Sequence, residues 1–329
     1  MTIPKISVIV TDHDRKDYIK ECLKSVLDQT LSREFYDIIV VKNFDDLVID
    51  NFINENKIMC IKPNSNAIGE KFVLGAENAT GEILCIVNDD DLFAKNKLEY
   101  ILKLFTENKE LIYYHNSFIK IGEQKEIIDN RIMLKNLIIS TDNFQKNLIK
   151  NALSGLNTFN DSCISIKRKV ILKYKEDLIN VKGNQDTILF LLSLTFNGIL
   201  VGNNEKLTYF RTHLSTSKFS GTNLEEDIKK FNGLINRRLE SYQSILPIFT
   251  GKNILSKYVE CNYRSNFLQS LIFKDVKRSI ILHKTLRFMK CPFNMSFKSR
   301  FLLIIIIFLK IANKNIVYKY ISRLIFKYY

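Results

Sequence analysis

Over the first hundred residues, short unbroken apolar runs alternate with segments in which apolar positions recur every three or four residues. Lys5 to Thr11 is mostly β-branched and lacks polar alternation, as a strand covered on both faces does. Tyr18 to Gln29 sets Ile19, Cys22, Leu23, Val26 and Leu27 at helical spacing, with Glu21, Lys24, Ser25 and Asp28 outward. Tyr36 to Lys42 predicts a second buried strand, Ile58 to Ile61 a third, and Ile68 to Ala79 a second helix. Thr80-Gly81 then turns the chain into a fourth strand, Ile83 to Val87, and a helical stretch follows from Lys95 to Thr106. This alternation predicts a doubly wound, Rossmann-like α/β fold with a mostly parallel central sheet flanked by helices.

The fourth strand runs straight into Asn88-Asp89-Asp90-Asp91. Open α/β sheets bind ligands just outside the carboxyl ends of their strands, which is where these residues fall. Three adjacent carboxylates repel one another, and a divalent cation that prefers oxygen relieves the repulsion while leaving coordination positions for water and phosphate. A second role is open to the same residues, because Asp is favoured at helix N-caps and the Lys95 helix begins close by.

The ordered set of segments resembles the family 2 glycosyltransferases, nucleotide-diphospho-sugar transferases of the GT-A fold. The resemblance is carried by Ile6-Ser7-Val8-Ile9-Val10 with Arg15 and Tyr18-Ile19, by Cys22 to Thr30, by Tyr36 to Val41, and by Ala79 to Leu84 leading into Asn88 to Asp91. It covers residues 3 to 95, with weaker matches to about 215. It implies an inverting, metal-dependent hexosyl-type transfer from a nucleotide sugar to an acceptor hydroxyl. Asn88 and Asp89 then lie near the donor, and Asp90 is the metal ligand (Mg²⁺ or Mn²⁺) of a DxD-type motif, with Asp91 the alternative by register. The base-contacting segment after the first strand, commonly Pro-Thr-Tyr-Asn, reads Thr11-Asp12-His13-Asp14 here and is followed by Arg15. After the second strand Asn43 stands where the family has a carboxylate, which leaves the nucleotide's identity open. Lys71 is taken with the same donor-binding set.

The resemblance also implies a base that deprotonates the acceptor. Gly183-Asn184-Gln185-Asp186-Thr187, ahead of the apolar helix Ile188 to Phe196, matches the family's acidic pair and makes Asp186 the candidate, with a plain helix N-cap as the alternative. Gln185 replaces the Glu that commonly precedes that Asp. Leu207 to His213 resembles the Tyr-Arg-x-His segment, so Arg211 is expected to meet the diphosphate and His213 to add a donor or a metal ligand. Asn160 to Ile164 is expected near the acceptor. The expected organisation is a GT-A domain over 1–220, with its nucleotide-sugar half over 1–95 and its acceptor half over 96–220, and then a helical region over 221–329.

Composition fits an enzyme-sized globular chain, with 329 residues of which 46% are hydrophobic and 26% charged. Six scattered cysteines form neither a disulfide framework nor a zinc-binding spacing, and the core strand begins so early that no signal peptide is expected. Charge changes the picture at one end only. Residues 251–329 hold 16 Lys/Arg against Glu260 and Asp275, an excess equal to the net charge of +14 for the whole chain. Within them Phe301 to Leu309 is apolar, and Lys319, Arg323 and Lys327 share a helical face opposite Val317, Ile321, Leu324, Ile325 and Tyr328. Nine apolar residues are too few to span a bilayer, whereas a basic amphipathic end suits the surface of an anionic membrane. A buried helix with a solvated basic face is the alternative. The expectation is a cytoplasmic protein, peripheral on the inner face of the cell membrane, acting on a saccharide or lipid-linked glycan acceptor. Nucleic acid is not an expected partner, because no Gly-rich RNA motif, zinc-finger spacing or base-reading basic helix accompanies the charge. A nucleotide-sugar-binding protein that has lost catalysis is the alternative that Thr11 to Asp14, Asn43 and Gln185 raise.

Overall fold

A computed structural model describes residues 6–12, 16–131, 134, 136–142, 158–212, 224–251, 254–272 and 277–289, together with 305 and 307. The chain divides into two compact units, residues 1–180 with 184–213, and residues 181–183 with 214–329.

In the first unit the predicted βα alternation is present. β1 (Ile6–Thr11) is wholly buried and lies between β2 (Tyr36–Val41) and β4 (Ile83–Asn88), parallel to both, and β3 (Met59–Ile61) extends the parallel edge beyond β2. Helix α1 (Ile19–Leu27) turns Ile19, Cys22, Leu23 and Val26 onto Val8, Val10, Ile38, Val40, Cys85 and Val87, as the periodicity requires. The hydrophobic pattern gives no helix between β2 and β3, but the structure has one, α2 (Leu47–Glu55). Asp46 caps it by accepting from the Val48 and Ile49 amides. Only Ile49 and Ile53 are buried, while Leu47 and Val48 are exposed and blur the period. Helix α3 (Ile68–Asn78) covers the other face of β1 and ends ahead of Thr80-Gly81.

The second half of the sheet is mixed. After β5 (Leu92–Phe93) and helix α4 (Lys97–Glu107) come β6 (Leu111–Ile121), β7 (Ile127–Asp129), β8 (Leu137–Ser140), β9 (Ile164–Lys167) and β10 (Ile199–Arg211). The strand order is β3-β2-β1-β4-β9-β6-β10-β5, with β7 paired to β6 and β8 to β10. β9 runs antiparallel to both β4 and β6, while β6 and β10 are parallel. Short α5 (Arg168–Lys173) and α6 (Lys175–Leu178) precede α7 (Gln185–Ser193), whose apolar residues from Ile188 to Leu192 are all buried. The result is a central sheet flanked by helices.

The second unit contains α8 (Leu224–Ile245), α9 (Ile254–Ser270) and α10 (Arg278–Met289). Among the described residues no helix is long and apolar enough to cross a membrane. The basic apolar segment from Phe301 onward lies outside the described residues apart from Ile305 and Ile307.

Candidate active site

The parallel register brings Thr11 opposite both Val41 and Asn88, so the segments that leave β1, β2 and β4 emerge side by side at one sheet edge. Thr11 is buried, and its hydroxyl donates to the Asn88 side-chain oxygen at 3.3 Å, while its carbonyl accepts the Asp89 amide at 3.0 Å. Asp12 is also enclosed. The Lys71 ammonium, delivered by α3, reaches the Asp12 carboxylate at 2.6 Å and its carbonyl at 2.8 Å. A buried pair of this kind gains its Coulomb energy in a medium that screens little. Beyond β2, the Asn43 amide donates to the Asn66 side chain. His13, Asp14 and Arg15 lie outside the described residues, as does His213.

The three carboxylates of the acidic turn differ in burial. Asp89 and Asp91 are buried and Asp90 is partly exposed. The Asp91 amide closes the turn on the Asn88 carbonyl at 3.2 Å. The Asp91 carboxylate accepts the Arg211 backbone amide at 2.9 Å and the Asn160 side-chain amide at 3.0 Å. Burial, and then the charge of Asp90, nevertheless push this carboxyl up to about 7 against the pull of those donors. Beneath the turn the Cys22 thiol points at the Asn88 carbonyl at 3.4 Å, and burial followed by the three aspartates raises it well above its usual range.

Arg211 ends β10 with a buried guanidinium. Its Nε donates to the Asp90 carbonyl at 2.9 Å, and its two terminal nitrogens reach the Glu123 carbonyl at 2.6 Å and the Glu21 carboxylate at 2.7 Å. The Tyr18 ring covers the group with its centroid 4.4 Å away. The planar fork therefore ties together α1, the acidic turn and the loop between β6 and β7. Glu21 takes Lys125 as well, at 3.0 Å, and although burial opposes it, Lys125 and Arg211 hold this carboxyl below its usual range.

Asp186, 95 residues beyond Asp91 in sequence, comes to the same place. It stands in the first turn of α7, which Asn184 opens in a left-handed conformation. One carboxylate oxygen accepts the Thr187 amide at 2.7 Å and the other accepts the Asn160 backbone amide at 3.2 Å. Asn160 thus holds Asp186 with its main chain and Asp91 with its side chain, and its side-chain oxygen receives the Ser162 amide at 3.0 Å. Its backbone sits at φ 73° and ψ 116°, a region in which a residue with a Cβ is strained, and strain of this sort gathers at functional sites. Next to it, Lys97 is fully buried under Ser162 and Thr208, donating to the Ser162 carbonyl at 2.6 Å and to the Thr208 hydroxyl at 3.0 Å, with burial bringing its pKa down to about 8.

Of the residues expected from the sequence, Thr11, Asp12, Lys71, Asn88, Asp89, Asp90, Asp91, Asp186 and Arg211 are connected by these contacts. Asn160, Lys97 and Glu21 were missing from the expected set of site residues. Asn160 lies in a segment expected only near the acceptor, and its Asn-Asp pair ahead of a buried strand was the one available signal. Among the described residues no three His, Cys, Asp or Glu side chains gather as a ready-made metal site.

Residues 7–174, just over half of the chain, match the model of glycosyl transferase family 2, and the chain belongs to that family. Its fold is GT-A. Curated relatives include three uncharacterized glycosyltransferases from Rickettsia and one from Haemophilus influenzae. The protein from Rickettsia bellii is 24% identical over 238 residues, covering 70% of this chain and 31% of that protein. That from Rickettsia felis is 26% identical over 296 residues, covering 84% and 43%. The Haemophilus influenzae protein is 26% identical over 226 residues, covering 65% and 71%. The chain therefore spans less than half the length of the Rickettsia relatives it matches. Among solved structures, S. aureus TarS 1–349 in complex with UDP-GlcNAc superposes with a TM-score of 0.54 at 14% identity, covering 97% of this chain and 92% of that one. At that identity the likeness is one of fold.

Proposed function

We propose that the chain transfers a sugar from a nucleotide-diphospho-sugar to an acceptor hydroxyl in a single inverting displacement. The observation that carries this reading is the junction at Asn160, which joins the acidic turn after β4 to Asp186 at the head of α7. A leaving diphosphate and an attacking hydroxyl need an electrophilic end and a basic end held at a fixed separation, and this residue spans the two. The TarS complexes with UDP and UDP-GlcNAc make uridine diphosphate sugars the first donors to test.

Asp186 is the base that takes the acceptor proton, with two amide donors fixing its carboxylate. Arg211 keeps the turn in place and contributes positive charge beneath it, and the Asp12–Lys71 pair stiffens the donor side. The donor set is all oxygen and Asp90 is the accessible carboxylate, so this residue fits Mg²⁺ or Mn²⁺ together with water and phosphate oxygens. Such an ion supplies charge neutralisation for the departing diphosphate. The acceptor is a saccharide or lipid-linked glycan, and the basic C-terminal end holds the protein on the inner face of the cell membrane.

Titration of UDP-, GDP- and dTDP-sugars with and without Mn²⁺, following heat and released nucleoside diphosphate, tests the reading. Metal-dependent binding with turnover is expected, and binding without turnover favours the nucleotide-sugar-binding alternative. Asp186→Asn is expected to abolish transfer while leaving donor affinity within about twofold, because the amide keeps its shape and loses its basicity. Transfer at the wild-type rate by this variant removes Asp186 as the base.

A further inference from the structure

At Gln185, where the family resemblance leads one to expect a Glu, the structure brings a carboxyl from elsewhere in the chain. The Gln185 side-chain amide donates to one oxygen of Asp161 at 2.7 Å, while the neighbouring Asn160 amide donates to Asp186 at 3.2 Å. Two consecutive residues before β9 thus hold two consecutive residues at the start of α7. Asp161 is buried with the Asn88 side chain also within reach of its carboxyl, and its Oδ1 is left without a close hydrogen bond. Buried polar atoms without a partner are uncommon and call for an explanation.

Resting on the transferase reading above, we propose that Asp161 is the second carboxyl of the base site, a positioning residue that clasps Gln185 and so fixes where the helix carrying Asp186 begins. Asn184 enters that helix in a left-handed conformation, and Asn160 and Asp161 each bond a residue of its first turn. The carboxyl faces Asp186, Asp91 and the buried Tyr113 phenol, and burial followed by the charge of Asp186 holds it well above the usual carboxylate range.

Three variants, assayed for steady-state donor turnover, nucleotide affinity and thermal midpoint, test the clasp. Asp161→Ala is expected to lower kcat by about 10- to 100-fold, as loss of positioning does, with donor KM within about twofold. Asp161→Asn keeps an acceptor for Gln185 and is expected to recover to within about threefold of wild type. Gln185→Ala breaks the same bond from the partly exposed side and is expected to lose kcat by the same factor as Asp161→Ala, which keeps the test intact should the latter fail to fold. Wild-type kcat in Asp161→Ala or in Gln185→Ala overturns the clasp, and so does an Asp161→Asn variant as slow as Asp161→Ala. A wild-type chain that releases no nucleoside diphosphate in the same assay overturns the transferase reading itself, and the inference with it.

Discussion

At the scale of residues, the site is built from buried polar groups whose partners come from distant parts of the chain. Lys71 and Asp12 are 59 positions apart, yet both are enclosed and in contact. Lys71→Met removes the ammonium and leaves the Asp12 carboxylate without its ion pair, at an expected cost of about 3–5 kcal/mol read from denaturant unfolding. His115 shows the opposite arrangement, a titratable ring kept neutral. Its Nε2–H donates to the Phe159 carbonyl at 2.9 Å, and burial, with the Lys97 charge contributing, brings its pKa down from 6.5 to about 3. Between those values the unfolded chain binds the proton that the folded chain refuses, so stability rises with pH across that window. The contribution is complete above about pH 6.5 and is lost on acidification, by about 2 kcal/mol at pH 5. His115→Gln keeps a donor for Phe159 and does not titrate, so its thermal midpoint is expected to fall less than that of the wild type between pH 7.5 and pH 5.

At the scale of elements, the sequence was most legible where one side of a helix or both faces of a strand are buried. Ile19, Cys22, Leu23 and Val26 line the inner face of α1, and the run from Ile83 to Val87 is enclosed throughout. Helix α2 was not legible, because two of its nine residues carry the burial and a capping Asp sets its start. The mixed half of the sheet was hidden for a different reason. Ile164 to Lys167 is too short to declare a direction, and its antiparallel place between β4 and β6 is set by pairing with strands about 50 to 80 residues earlier. Gly81, read from sequence as a turn residue, has a further role in packing. A Cβ there would lie 2.5 Å from the Ile6 carbonyl carbon and 2.6 Å from the Ser7 nitrogen, while the Gly81 amide donates to the Ser7 hydroxyl at 2.8 Å. Backbone cannot yield as a side chain can, so Gly81→Ala is expected to lower the thermal midpoint by several degrees, at about 1–3 kcal/mol or more.

At the scale of the whole molecule, the excess charge and the candidate site lie in different parts of the sequence. The candidate-site residues lie between Thr11 and Arg211, and the net charge of +14 is matched by the excess in residues 251–329. With the membrane reading, the full chain is expected to co-sediment with anionic phosphatidylserine vesicles and a chain truncated before Phe297 to remain in solution; equal sedimentation of the two removes the tail as the anchor. The sequence by itself determined the buried strands β1 to β4 and helices α1, α3 and α4 of the first half, the acidic turn at a strand end, the membership of a family and the candidacy of Asp186. Each of these is written in residues close together in the chain, where periodicity and local chemistry act. Only the tertiary structure decided that Asn160 joins Asp91 to Asp186, that Arg211 ties the acidic turn to Glu21, and that Asp161 stands against Gln185. Those contacts depend on strand register, and register is a property of the assembled sheet, fixed by the burial of all its members together rather than by any one segment.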